Sequence, residues 1–175
     1  MNRLARCLIA IGLLAWPGMA QAQSTQQWPW IPQGPCSDQT IKGTYLFTVQ
    51  GMTLASQGVP PTVVTFNTGV GTIKFEGNGN FTQQDFVVHN ANPPSNSTTN
   101  GFGAGETGTY KVYADCTGNA EINVPGPPSA TIDLVLVISP PAGTIHAVVS
   151  AATLNGAPSY LQTHSDFEKI SNDTQ

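Results

Sequence analysis

The chain has 175 residues, only 9% of them charged, and six basic against ten acidic residues give a formal net charge of −4. The basic residues are few and scattered, whereas proteins that bind duplex nucleic acid gather lysine and arginine on one face to neutralise phosphates. We therefore expect no nucleic-acid partner. The length suits one domain with a substantial core.

The first 22 residues have the three parts of a secretory signal peptide. Two arginines precede an apolar run of about ten residues, and Ala20-Gln21-Ala22 supplies a small-residue cleavage step. The apolar run is too short to span a bilayer, which takes roughly 20 residues. We expect cleavage after Ala22, a secreted or periplasmic location, and no transmembrane segment. The mature chain then has four basic residues against ten acidic ones, a net charge of −6, and no arginine.

Two cysteines, Cys36 and Cys116, remain in the predicted mature chain. An even number of cysteines in an oxidising compartment indicates a disulfide, here one that closes a long loop. The alternative is two separate buried thiols. Neither cysteine has a second cysteine or a histidine at a spacing typical of metal ligands, so we expect no metal site here.

From Thr40 onward, short runs rich in β-branched and aromatic residues alternate with turn residues, a pattern typical of a barrel or sandwich. Gly77-Asn78-Gly79-Asn80 predicts a tight hairpin. No later segment has a helical apolar stripe. The runs fall within nine stretches and predict about eight strands: 44–50, 62–66, 70–76, 81–89, 106–113, 119–124, 131–139, 144–153 and 159–170.

Successive hairpins favour an all-β fold, a closed antiparallel barrel of about eight strands, which has no exposed strand edges. A two-sheet β-sandwich is the alternative. The predicted organisation is a signal peptide over 1–22, an N-terminal arm over 23–39, one barrel domain over 40–170 and a flexible tail over 171–175.

Four motifs follow one another along the chain: Cys36-Ser37, Lys42-Gly43-Thr44-Tyr45-Leu46-Phe47, Phe75-Glu76-Gly77-Asn78-Gly79-Asn80 and Gly108-Thr109-Tyr110-Lys111-Val112-Tyr113-Ala114-Asp115-Cys116-Thr117-Gly118. In this order they resemble a family of small exported bacterial proteins of largely unknown function, with an allene-oxide-cyclase-like or lipocalin-like barrel. The resemblance covers 36–137 and implies the closed eight-stranded barrel and the disulfide, but it transfers no catalytic residue.

Four titratable residues within predicted strands are weak candidates for acid–base catalysis: Asp85, His89, Glu106 and Asp133. An acid on an apolar inward face has a raised pKa, which suits proton transfer near neutral pH. Asp85 and His89 share one strand face about 13 Å apart, so one pocket could hold both. For Asp133, a solvent-facing position is the favoured alternative.

Aromatic residues near the barrel interior are candidates for a ligand pocket, namely Tyr45, Phe47 and Tyr110. A buried tyrosine brings an apolar ring and one hydroxyl to a pocket, although core packing is its commoner role. Three histidines, His89, His146 and His164, would suffice for zinc if strands brought them together. Nothing in their spacing selects that site, so we expect no metal and no cofactor.

Three functions fit this sequence. The first is an exported barrel that binds a small apolar or amphipathic molecule. The second is a cofactor-independent isomerase or cyclase that acts in the same pocket. The third is a surface or structural protein with a filled core, whose function lies in the polar loop over 90–105. A hollow interior distinguishes the first two from the third. The sequence predicts no oligomeric state.

Overall fold

The computed structural model describes residues 35–55, 63–90, 102–103, 105–126, 128–139 and 142–171. The predicted signal peptide, most of the N-terminal arm, most of the predicted loop over 90–105, and residues 172–175 lie outside the described residues. The described residues form no helix that is long and apolar enough to cross a membrane.

Eight antiparallel strands form a closed barrel, which confirms the predicted fold and excludes the sandwich alternative. The described strands are β1 Gly43–Leu54, β2 Val63–Phe75, β3 Asn80–His89, β4 Glu106–Val112, β5 Thr117–Val124, β6 Ala130–Ser139, β7 Thr144–Leu154, β8 Ala157–Pro158 and β9 Tyr160–Ser171. Strands β1 to β6 pair in chain order, β6 pairs with β7, β7 with β9, and β9 with β1. The short β8 pairs with β7 at one rim.

Alternating burial along each strand fixes which side chains enter the barrel. In β4 every second residue from Glu106 to Val112 is buried and those between are exposed, as the twofold period of a strand requires. The barrel has two ends, which we call the disulfide end and the rim end. The disulfide end holds the start of β1 and the end of β2, and the rim end holds Leu54 and His89.

An aromatic cluster fills the disulfide end. The Phe75 ring packs against Tyr45, Phe81 and Tyr110, with centroid distances of 5.6, 5.6 and 5.0 Å. The Tyr45 hydroxyl donates to the carbonyl oxygen of Ala142 at 3.0 Å. The Tyr110 hydroxyl accepts the Gly77 N–H and donates to the Asp38 carbonyl. Because both buried hydroxyls are satisfied, this end of the barrel is a packed plug.

The end of the N-terminal arm is tied across the same end. Cys36 and Cys116 form the predicted disulfide, with Cα atoms 5.1 Å apart. A 3₁₀ helix that the sequence analysis missed, Asp38–Ile41, follows. The Asp38 carboxylate accepts the Val112 N–H at 2.7 Å and the Lys111 ammonium at 3.0 Å. These bonds hold the pKa of Asp38 below its usual value, the Val112 bond most strongly.

The separate runs predicted over 62–66 and 70–76 form one strand, so the break that they imply near Gly69 is wrong. Gly69 lies within β2 and pairs with Val49 of β1 and Val87 of β3. A second glycine of the same strand, Gly71, makes room for a ring. Gly71 lies opposite Phe47 in β1, and a Cβ at Gly71 would collide with the Phe47 ring and the Gln84 carbonyl. The predicted hairpin does form, with Gly77 and Gly79 at φ of 82° and 88°.

Candidate ligand-binding cavity

The half of the barrel toward the rim end is hollow. A cavity of about 310 Å³ lies above the aromatic plug, where an eight-stranded barrel has room for side chains or one small ligand. Phe47 and Phe167, with ring centroids 5.3 Å apart, line it on β1 and β9. Most other lining side chains are apolar: Val49, Val87, Ile122, Val124, Pro128, Ala130, Ile132, Leu134, Val149, Leu154 and Leu161.

Two carboxyl groups enter this apolar space from neighbouring strands. Glu106 begins β4 and lies directly opposite Gln83 of β3. Asp85 follows two residues later on the same face of β3, and all three residues line the cavity. The Gln83 amide donates to Glu106 Oε2 at 2.5 Å. Glu106 is only 7% exposed, so its carboxyl group is largely removed from water.

Both carboxyl groups titrate near neutral pH. Burial and, to a smaller extent, the Asp85 charge raise the pKa of Glu106 to about 7, although the Gln83 hydrogen bond opposes the rise. Burial alone raises the pKa of Asp85 to about 6. The two groups therefore give the cavity an acidic pair that holds protons well above the usual carboxyl range.

Asp85 lies on β3 just beyond the residues that pair with β4. Strands β3 and β4 pair only over Asn80–Gln83, so the rest of β3 extends beyond the start of β4. There the Gly103 N–H donates to the Asp85 carbonyl oxygen at 2.7 Å. Phe102 packs on Phe86 with centroids 6.4 Å apart. The Asp85 side chain therefore borders a part of the wall that residues 102–103 build in place of a strand.

Three polar side chains are hydrogen-bonded in a row at the rim end. The Asn67 amide donates to Thr53 Oγ1 at 3.1 Å, so its oxygen is the group that faces His89 Nδ1 at 2.8 Å. Nδ1 of His89 must then carry a proton. Asn67 and His89 both line the cavity, and Nε2 of His89 is the ring atom left for a ligand or for water.

The structure brings together three of the four proposed acid–base residues, since Asp85, His89 and Glu106 line one cavity. Asp133 does not join them. It pairs with Glu121 on β5 and shares the outer face of β6 with exposed Val135, because side chains of odd-numbered residues there point away from the core. The solvent-facing alternative for Asp133 is the one that the structure shows.

Of the three proposed pocket aromatics, only Phe47 lines the cavity. Tyr45 and Tyr110 belong to the plug at the disulfide end, where packed rings and main-chain groups surround them. His146 and His164 are exposed, and His146 Nδ1 lies 2.7 Å from Asp166 on the outer surface. Across the described residues, no three metal-binding side chains cluster.

Two buried polar residues of the cavity escaped the sequence analysis, Gln83 and Asn67. The sequence could have indicated Gln83, because this residue lies two positions before Asp85 and therefore on the same strand face. It could not have indicated Asn67, because this residue lies between the two separate runs predicted over 62–66 and 70–76. Both are buried polar residues, at 8% and 7% exposure.

In comparisons with known proteins, no protein-family model matches the sequence, and no curated protein matches it either. The resemblance to small exported barrel proteins therefore stays a prediction.

Proposed function

We propose that this protein is an exported barrel that binds a small apolar or amphipathic molecule in the cavity at the rim end. The observation that carries the proposal is the apolar cavity of about 310 Å³. Protein interiors are normally close-packed, and a void this size forfeits the contacts of its lining. Ligand pockets start at about 300 Å³, so the expected ligand is small.

Export is supported by the cysteines as well as by the predicted signal peptide. The Cys36–Cys116 disulfide needs an oxidising compartment to form and persist. We therefore infer a periplasmic or extracellular location, where the ligand would be met outside the cytoplasm.

Binding can be tested with N-phenyl-1-naphthylamine, a neutral probe whose fluorescence rises in apolar surroundings. Val87 and Val88 are a matched pair on β3, because Val87 lines the cavity and its neighbour faces outward. We expect Val87→Trp to weaken probe binding at least tenfold, since the indole fills the cavity, and Val88→Trp to leave it unchanged. Equal binding by wild type and Val87→Trp, or no binding by wild type, would contradict the proposal.

A second function, a cofactor-independent isomerase or cyclase, is favoured by one observation. Glu106 and Asp85 have pKa values of about 7 and about 6 in one apolar cavity, which would supply a proton donor and a proton acceptor at neutral pH. Such an enzyme would exchange a ligand C–H hydrogen with solvent. Molecules extracted from the purified protein should then gain deuterium in D₂O with wild type and not with Glu106→Gln. Identical mass spectra for both would exclude this chemistry.

A further inference from the structure

We propose that the molecule bound in this cavity carries a protonated amine, which the side chains of Asp85 and Glu106 hold against the apolar wall. This inference rests on the proposed function, because it names the chemical class of the ligand for the same cavity. Three observations support the inference: the charges of the lining residues, the positions of the lysines, and the geometry of the two acids.

Among the described residues, the cavity lining is acidic and contains no lysine or arginine. Asp85, Glu106 and His89 are the titratable side chains among the described lining residues. His89 reaches Asn67 through Nδ1. Gln83, which donates a hydrogen bond to Glu106, is neutral and bonds to a single carboxylate oxygen. The ionised pair is therefore uncompensated within the described part of the cavity.

The lysines all lie at the opposite end of the barrel. Lys111 pairs with Asp38 at 3.0 Å, and Lys74 lies 3.4 Å from Glu76, beside the hairpin. Lys169 Nζ stands 5.5 Å from the centre of the Tyr45 ring, which belongs to the aromatic plug. Lys42 follows the 3₁₀ helix at the same end. No lysine is in a position to neutralise Glu106.

In the predicted mature chain, the segments outside the described residues contain no lysine or arginine, including 23–34, 56–62 and 91–101. After residue 22 the chain has four lysines and no arginine, and the structure describes all four. No lysine or arginine of the predicted mature chain therefore compensates the acidic pair, and a cationic ligand would supply the missing positive charge.

The geometry suits one ammonium group. Diagonal neighbours on one face of an antiparallel pair have Cα atoms about 7–8 Å apart, a span that Asp85, Glu106 and a cation between them can bridge. An ammonium has three donors and no acceptor, and an ionised carboxylate only accepts. The ligand's proton-rich head would thus satisfy oxygens that Gln83 leaves open, while the rest of the ligand contacts apolar side chains such as Val87 and Ile122.

This arrangement also predicts what the cavity rejects. A fatty acid would place its carboxylate beside Asp85 and Glu106, and two like charges in an apolar site repel strongly. A polyamine or an amino acid would leave polar groups unpaired against the apolar walls. The favoured ligand is therefore an alkyl or aryl-alkyl amine with one cationic head.

The test compares three probes that share a chain and differ in the head group: octylamine, 1-octanol and octanoate. The affinity of each probe is measured by its displacement of N-phenyl-1-naphthylamine from the protein at pH 8. A primary amine is still protonated at this pH, since its pKa, like that of lysine, is about 10. We expect octylamine to bind at least tenfold more tightly than octanol, and octanoate to bind most weakly. In Asp85→Asn/Glu106→Gln, the ratio of octylamine to octanol affinity should fall to about one.

Glu121→Gln is the matched control, because it removes one carboxylate from the exposed outer face of β5 and should preserve the ratio. If wild type binds octanol as tightly as octylamine, or the double variant keeps the preference, the amine inference is overturned while the binding function stands. If neither N-phenyl-1-naphthylamine nor any of the three probes binds, the proposed function fails together with the inference. The wild-type comparison decides even if the double variant does not fold.

Discussion

At the scale of single residues, the cavity acids oppose folding at high pH. Their pKa values of about 6 for Asp85 and about 7 for Glu106 exceed the ordinary values of 3.8 and 4.5 for these side chains. The folded chain therefore keeps protons that the unfolded chain has already released. The stability linked to these groups is fully present below about pH 4 and is lost as the pH rises through 6 and 7.

We expect the free energy of unfolding to fall between pH 5 and pH 8. The Glu106 contribution is at most about 3 kcal/mol, because a tenfold change in proton affinity corresponds to about 1.4 kcal/mol. Glu106→Gln should flatten this pH dependence and Glu121→Gln should not. Urea unfolding at several pH values measures the effect. A wild-type stability that rises between pH 5 and pH 8 would contradict the assignment. Asp38, whose pKa is lowered, loses its contribution only at more acidic pH.

At the scale of elements, two strand pairs show how the barrel accommodates large inward rings. Phe47 on β1 lies opposite Gly71 on β2, and Phe81 on β3 lies opposite Gly108 on β4. In each pair, the ring occupies the space that a Cβ on the neighbouring strand would take. Ring and glycine together fill one position of the wall, which keeps adjacent strands close enough to pair.

Gly71→Ala should therefore destabilise the barrel, by about 1–3 kcal/mol, the usual cost of overpacking. The new Cβ would collide with the Phe47 ring of β1 and the Gln84 carbonyl oxygen of β3, so both would have to move. The control is Gly143→Ala, because no atom lies within 4 Å of a Cβ built at that turn residue. Thermal unfolding followed by circular dichroism measures both variants, and equal melting temperatures would show that β2 can shift at no cost.

At the scale of the whole molecule, the barrel interior has one packed end and one hollow end. The disulfide end is packed with aromatic rings and closed by the arm, whereas the rim end holds the cavity. Apolar contacts and satisfied hydroxyls at one end can offset the cost of a void and of buried acids at the other. The disulfide adds to the packed end, since it closes a loop with a sequence separation of 80 residues.

Cys36→Ser and Cys116→Ser should lower the free energy of unfolding by similar amounts, about 2–4 kcal/mol, because each opens the same loop. Urea unfolding of the two variants, with wild type in reducing agent as the control, measures the loss. All three should agree. Two thiols that react with an alkylating agent in the native wild-type protein would show that the bond does not form.

The sequence by itself determined the class of the fold. Alternating runs, the Gly77–Gly79 hairpin and two cysteines predicted an antiparallel barrel with one disulfide, because the twofold side-chain period and turn chemistry are local properties. Strand faces were partly readable for the same reason, so Asp85, His89 and Glu106 were proposed before the structure placed them in one cavity. The break at Gly69 failed because the residues that pair with Gly69, Val49 and Val87, lie on other strands, outside the local pattern.

Only the tertiary structure decided what lies inside the barrel. Tyr45 and Phe47 share a strand face two residues apart, yet one joins the plug and the other lines the cavity, because depth along the barrel axis depends on the register of every strand. The raised pKa of Glu106 depends likewise on its burial and on Asp85 of the neighbouring strand. Depth, burial and cross-strand charge are properties of the closed barrel, and no local pattern in the sequence encodes them.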